Sequence, residues 1–150
     1  MKPGGWIELK ELHVWPRCDD GTMGPDDIFE AFSRLLAEAL EANGMDMHKC
    51  RALRGPLTRA GFTNIQLVKI KSPIGEWHDD PMLQYAGGYQ RQAILGIIPA
   101  ICGQPFESLG IGRVEREAWA GRARRAIEDD SVHRYFTWYF WTAQKPEEAS

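Results

Sequence analysis

The side chains best suited to bind a metal or move a proton are few in this 150-residue sequence, which holds 4 His and 3 Cys. His48 and Cys50 lie close together, but they lack convergent companions, and a structural zinc site takes four ligands in a closed set. Cys18, Cys50 and Cys102 are an odd set without a C-x-x-C pair, which reads as free thiols in a reducing compartment and not as a disulfide framework. Gly110-Ile111-Gly112 is too short for a nucleotide loop and follows no apolar strand. Gly4-Gly5 precedes a strand, whereas a dinucleotide fingerprint follows one. Arg113, Arg116, Arg122, Arg124 and Arg125 are interleaved with Glu115, Glu117 and Glu128, as on a solvated helix face. The same face could instead form part of a protein-binding surface.

Composition narrows the classes further. With 43% apolar residues the chain can build the core of one globular domain, which sets it apart from disordered and collagen-like sequences. A balance of 18 Lys+Arg against 21 Asp+Glu, net -3, does not favour a cationic nucleic-acid surface. The first residues carry Pro3, Gly4 and Gly5 where a signal peptide would have a basic region and an apolar run. The best apolar run, from Ala93 to Cys102, falls short of the roughly 18 residues of a membrane span and contains Pro99. An intracellular chain, cytoplasmic or nuclear, is the expectation.

Periodicity predicts the elements that carry these residues. Trp6 to Trp15 reads as a strand whose apolar phase changes between Leu9 and Leu12, with Pro16 as its stop. Asp26 or Asp27 can cap a helix in which Ile28, Phe29, Phe32, Leu35, Leu36, Ala39 and Leu40 form one stripe, closed at Asn43-Gly44. From Lys49 to Ala60 a helical face is broken by Gly55-Pro56, with Pro56 opening the last turn. Asn64 to Lys71 is a second strand. Asp80 to Gly103 reads as helical but interrupted at Gly87-Gly88, Gly96 and Pro99, and a further helix runs from about Arg113 to Glu128. The last strand, within 132–141, has Tyr135, Phe136, Trp138, Tyr139, Phe140 and Trp141 on both parities, so it needs cover on both faces. Base stacking would need an open sheet face and basic neighbours, and only Arg134 is close. The order strand, helix, short helix, strand, two helices, strand fits an α/β layer architecture.

The run Met1-Lys2-Pro3-Gly4-Gly5-Trp6-Ile7-Glu8-Leu9 resembles the L-K-P-G-G turn before the fifth strand of class I S-adenosylmethionine-dependent methyltransferases, with Met1 where a leucine often stands. Glu11-Leu12-His13-Val14-Trp15-Pro16 and Asp19-Asp20-Gly21-Thr22 look more narrowly like the fungal methyltransferases related to the regulator of secondary metabolism, the LaeA-like group. So do Leu57 to Asn64, Pro73-Ile74-Gly75-Glu76-Trp77 and the final aromatic strand. The ordered set covers nearly the whole chain.

The resemblance implies the C-terminal part of a Rossmann-like sheet: three strands with inserted helices, incomplete, over residues 1–145, with a polar tail at 146–150. It implies S-adenosylmethionine as cofactor of the complete enzyme, and methyl transfer to an unidentified small-molecule or protein acceptor. The family's glycine-rich loop and ribose-binding acid have no counterpart here, so no cofactor-binding residue is assigned and the chain is expected to be inactive alone. The alternative is a non-catalytic interaction module derived from the same fold. In the family the last strand lies antiparallel between the fifth and sixth, which would put Tyr135–Trp141 between the other two strands here. The outer edge of strand 6–15 would then be open to a protein partner or to self-association. Glu11 and His13 are the catalytic candidates by this mapping, against the plainer reading of polar residues at a strand end. Trp15, Trp77, Tyr85 and Tyr89 are the substrate-pocket candidates, against simple packing.

Overall fold

A computed structural model describes residues 1–147. The strands are β1 (Trp6–Arg17), β2 (Thr63–Pro73) and β3 (Tyr135–Gln144), and the helices α1 (Ile28–Glu41), α2 (Arg54–Arg59), α3 (Pro81–Ile101), α4 (Gln104–Ser108) and α5 (Arg113–Glu128). The sheet order is β1-β3-β2, so the most aromatic strand is the central one. The end of β3 meets the beginnings of both neighbours: Lys145 N donates to Gly5 O at 2.8 Å, and Thr63 Oγ1 donates to Gln144 O at 3.3 Å. β3 is therefore antiparallel to β1 and to β2. The arrangement implied by the methyltransferase resemblance is the one found, within an α/β fold.

Two compact units divide the chain. One comprises Met1–His13, His48–Lys71 and the chain from Thr137. Its core is Cys50, Leu57, Tyr139, Trp141 and Ala143, flanked by Ile7, Leu9, Leu53, Phe62, Ile65 and Leu67. Trp141 buries its ring without losing a hydrogen bond, because its Nε1 donates to Cys50 O at 2.8 Å. Of the tail expected at 146–150, residues 148–150 lie outside the described residues.

The other unit comprises Val14–Met47 and Ser72–Phe136. Here α5 packs on α1 and α3, and α4 on α1. Phe29, Phe32, Phe106 and Phe136 are buried in successive ring contacts, with centroids 5.9 Å apart for Phe29–Phe32 and 5.2 Å for Phe32–Phe106. Asp27, not Asp26, caps α1: its Oδ1 accepts from Glu30 N at 2.9 Å.

β2 and β3 end three residues or fewer beyond the expected bounds, and three further differences bear on how the elements are built. β1 continues through Pro16 to Arg17. A proline lacks an N–H, which an edge strand tolerates on its unpaired side. A short helix, α4, follows α3. α3 itself is unbroken across Gly87-Gly88, Gly96 and Pro99. Asp80 Oδ1 secures its start by accepting from Met82 N and Leu83 N at 2.8 and 3.2 Å, with Pro81 in the first turn. Ile94 and Ile98 anchor its second half in the core, and Pro99 falls in the last turn, where few backbone bonds remain to be lost.

Candidate functional site

The sequence-named residues occupy distinct surroundings. On β1, Glu11 is exposed and Trp15 half-buried, whereas His13 is completely buried. His13 Nε2 lies 2.8 Å from His48 Nδ1, and its ring meets Tyr139 edge-on at 6.1 Å. On α3, Tyr85 and Tyr89 are one turn apart, as i and i+4 residues must be, and both are largely exposed. Their hydroxyls are 2.9 Å apart and their rings form an edge-to-face pair at 4.8 Å. With Glu76, Gln84, Gly88 and Gln92 they line a surface pocket of about 420 Å³. Trp77 takes no part in that lining. It is half-buried, donates from Nε1 to Arg134 O at 3.0 Å and stacks on His133 at 4.7 Å.

That stack leads to a cluster the sequence reading missed. After β1 the chain turns at Gly21, where φ is +78°, and folds Asp20 back on its own loop. Asp20 Oδ1 accepts from Cys18 Sγ at 3.0 Å, from Thr22 N at 3.1 Å and from Thr22 Oγ1 at 2.8 Å. Its Oδ2 bonds His133 Nδ1, and His133 N donates to Thr22 Oγ1 at 2.9 Å. Next to it, Tyr135 donates its hydroxyl to Asp19 Oδ1 at 2.7 Å. The motif Asp19-Asp20-Gly21-Thr22 was visible in the sequence, but nothing local ties it to a histidine 113 residues later.

Hydrogen bonds from the Cys18 thiol, then from the Thr22 amide and hydroxyl and from His133, hold the Asp20 carboxyl well below the usual aspartate range. A depressed carboxylate pKa adds stability in full above the unfolded value, and that contribution is lost as pH falls through the folded one. The loop should therefore stay closed on acidification until below the ordinary aspartate value of 3.8. Carbon-13 titration of the Asp20 carboxyl checks this, and a midpoint at or above that value would mean an open loop.

A second cavity, of about 380 Å³, is lined by Phe29, Phe32, Leu36, Ile94, Ile97 and other apolar side chains. Its one polar lining residue, Ser33, donates its hydroxyl to Phe29 O at 2.9 Å, so nothing in it is free to orient a polar substrate.

The glycine pair Gly110 and Gly112 can be placed against the requirements of a nucleotide loop. Gly110 and Gly112 lie between two helices, α4 and α5, so no strand aims a glycine loop at a helix N-terminus there. The β1–α1 loop is acidic, and three of its carboxylates, those of Asp19, Asp20 and Asp27, are bonded within their own unit. Among the described residues no group of three His, Cys, Asp or Glu side chains converges as metal ligands, and no helix is long and apolar enough to cross a membrane.

No family model matches the chain. Individual proteins do. The secondary metabolism regulator LAE1 of Cochliobolus heterostrophus is 29% identical over 99% of this chain and 49% of its own length. The methyltransferase pytC of Aspergillus terreus is 29% identical over 97% of this chain and 45% of its own. The protein-methionine methyltransferase laeA of Emericella nidulans is 24% identical over 97% and 39%. The chain is thus similar along almost its entire length to LaeA-like regulators and methyltransferases of fungi, and spans about half the length of the first of these relatives.

Proposed function

We propose that this chain is the acceptor-side portion of an S-adenosylmethionine-dependent methyltransferase and needs a complement to hold the cofactor. The observation that carries the reading is the sheet order β1-β3-β2 with β3 antiparallel between its neighbours. That order follows from the methyltransferase resemblance and not from helix or strand periodicity. Similarity to proteins named as methyltransferases supports it. The chain's own contribution is acceptor binding: the Tyr85–Tyr89 pair offers exposed ring faces and hydroxyls, with Glu76, Gln84 and Gln92 around them to orient a polar group. No residue of this chain is assigned to the cofactor.

β1 ends the strand order among the described residues, and that edge of the sheet is the seat we assign to the complement. Either a further strand of a longer product or another chain could take it. The second reading is a non-catalytic interaction module that uses the same edge.

Calorimetry with S-adenosylmethionine separates these cases. The chain alone should give no saturable heat. A longer product that adds in-frame sequence upstream of Met1 should bind the cofactor and transfer a labelled methyl group. Stoichiometric binding by the chain alone would overturn the need for a complement. A longer product that binds nothing would leave the interaction module.

A further inference from the structure

We propose that Asp20 and His133 form a proton-accepting dyad in which His133 Nε2 takes a proton from a phenol or thiol acceptor. The geometry of the ring carries the argument. Nδ1 is committed to Asp20 Oδ2, and a carboxylate can only accept, so Nδ1 carries the hydrogen and Nε2 the lone pair. Among the described residues Nε2 has no hydrogen-bond partner, and the side chain is 34% exposed, so an acceptor can reach it.

The ring is also fixed in place. Trp77 stacks on it with planes 15° apart, and that indole is itself tied to Arg134 O. The His133 backbone N–H is held by Thr22 Oγ1. Asp20 cannot swing away, because three donors from Cys18 and Thr22 hold its other oxygen. A carboxylate that orients an imidazole, fixes its tautomer and stabilises the imidazolium once formed is the arrangement a general base requires. His78, beside the same indole, provides the contrast. Its Nδ1 accepts from Asp80 N at 3.0 Å, which puts the hydrogen on Nε2 and leaves no lone pair there.

Proton transfer is efficient when the two pKa values are not far apart. Thiols and phenols are acidic enough to share a proton with a neutral imidazole, and aliphatic alcohols are not. In the step the O–H or S–H bond breaks and its electron pair stays on oxygen or sulfur. The proton bonds to Nε2, and the imidazolium later returns it to water. The proposal rests on the methyl-transfer reading only for the reaction that then uses the deprotonated acceptor.

The test uses the 150-residue chain with two probes. Nitrogen-15 spectra should show His133 as the Nδ1–H tautomer and His78 as the Nε2–H tautomer. Diethyl pyrocarbonate, read by peptide mass spectrometry, should modify His133 at least tenfold faster than His78. Asp20→Asn should bring the His133 rate down to that of His78. His133→Asn keeps a side-chain donor for Asp20, so its melting temperature should stay near wild type. Added 4-nitrophenol at mildly acidic pH should gain phenolate absorbance with wild type but not with His133→Asn, while the His133 nitrogen shifts move toward imidazolium. Equal modification rates at His133 and His78, or no change in 4-nitrophenol absorbance, would overturn the dyad. A dyad that passes, in a protein whose longer product moves no methyl group, would sink the methyl-transfer reading alone.

Discussion

Replacing Asp27 by alanine should destabilise the chain by about 3–5 kcal/mol, the range for removing one partner of a buried ion pair. Asp27 and Arg134 have side chains only 5% exposed each, and the guanidinium bonds the carboxylate from Nε at 3.1 Å as well as from its terminal nitrogen. Alanine would leave the Arg134 charge buried, with its Nη1 still donating to Ala126 O at 2.7 Å. It would also remove the cap on Glu30 N, which contributes about 1 kcal/mol of that loss. Asp27→Asn should restore the cap but not the charge, and so recover only that smaller part. Asp26→Ala, which touches neither, should lie within about 0.5 kcal/mol of wild type. Urea denaturation checks all three. A loss below about 1 kcal/mol for Asp27→Ala would mean that Arg134 finds water or another partner.

Two adjacent aspartates before an apolar stripe announce a capped helix, and the cap is found. The choice between them depends on Arg134, 107 residues away, and no local pattern encodes it. β3 was legible because a strand apolar on both parities needs cover on both faces, and its central place followed from the resemblance. Tyr85 and Tyr89 were named through the resemblance, and their one-turn spacing on α3 is what brings them together. Trp77 was named with them, but its indole hydrogen-bonds Arg134 O instead of lining their pocket. His133 was passed over because a single histidine before an aromatic strand carries no signal of its own. Its environment is made by the loop after β1, through contacts of long sequence separation.

Gly87→Ala should cost about 2–3 kcal/mol, although helix propensity taken alone predicts a gain of about 1 kcal/mol from the same change. A Cβ at Gly87 would stand 2.0 Å from the carbonyl oxygen of Gly75 and 3.2 Å from Pro73 Cβ. The first of these is backbone. Gly75 has φ of +94° and donates its N–H to Gly87 O at 3.0 Å, so neither segment can retreat without breaking the other's hydrogen bond. The same helix supplies its own controls. A Cβ at Gly96 meets nothing within 4 Å, so Gly96→Ala should stabilise by up to about 1 kcal/mol. At Gly88 the nearest atom is the carboxylate end of the exposed Glu76 at 3.0 Å, which can move, so that change should be near neutral. Thermal melts of the three variants decide whether the close approach or the propensity wins. The consequence also reaches the site, because the Gly75 turn leads directly to Trp77 and its stack on His133. Gly87→Ala should therefore also slow the reaction of His133 with diethyl pyrocarbonate, whereas Gly96→Ala should leave it unchanged. Equal rates in both variants would mean that the His133 ring is held by Asp20 and Thr22 alone.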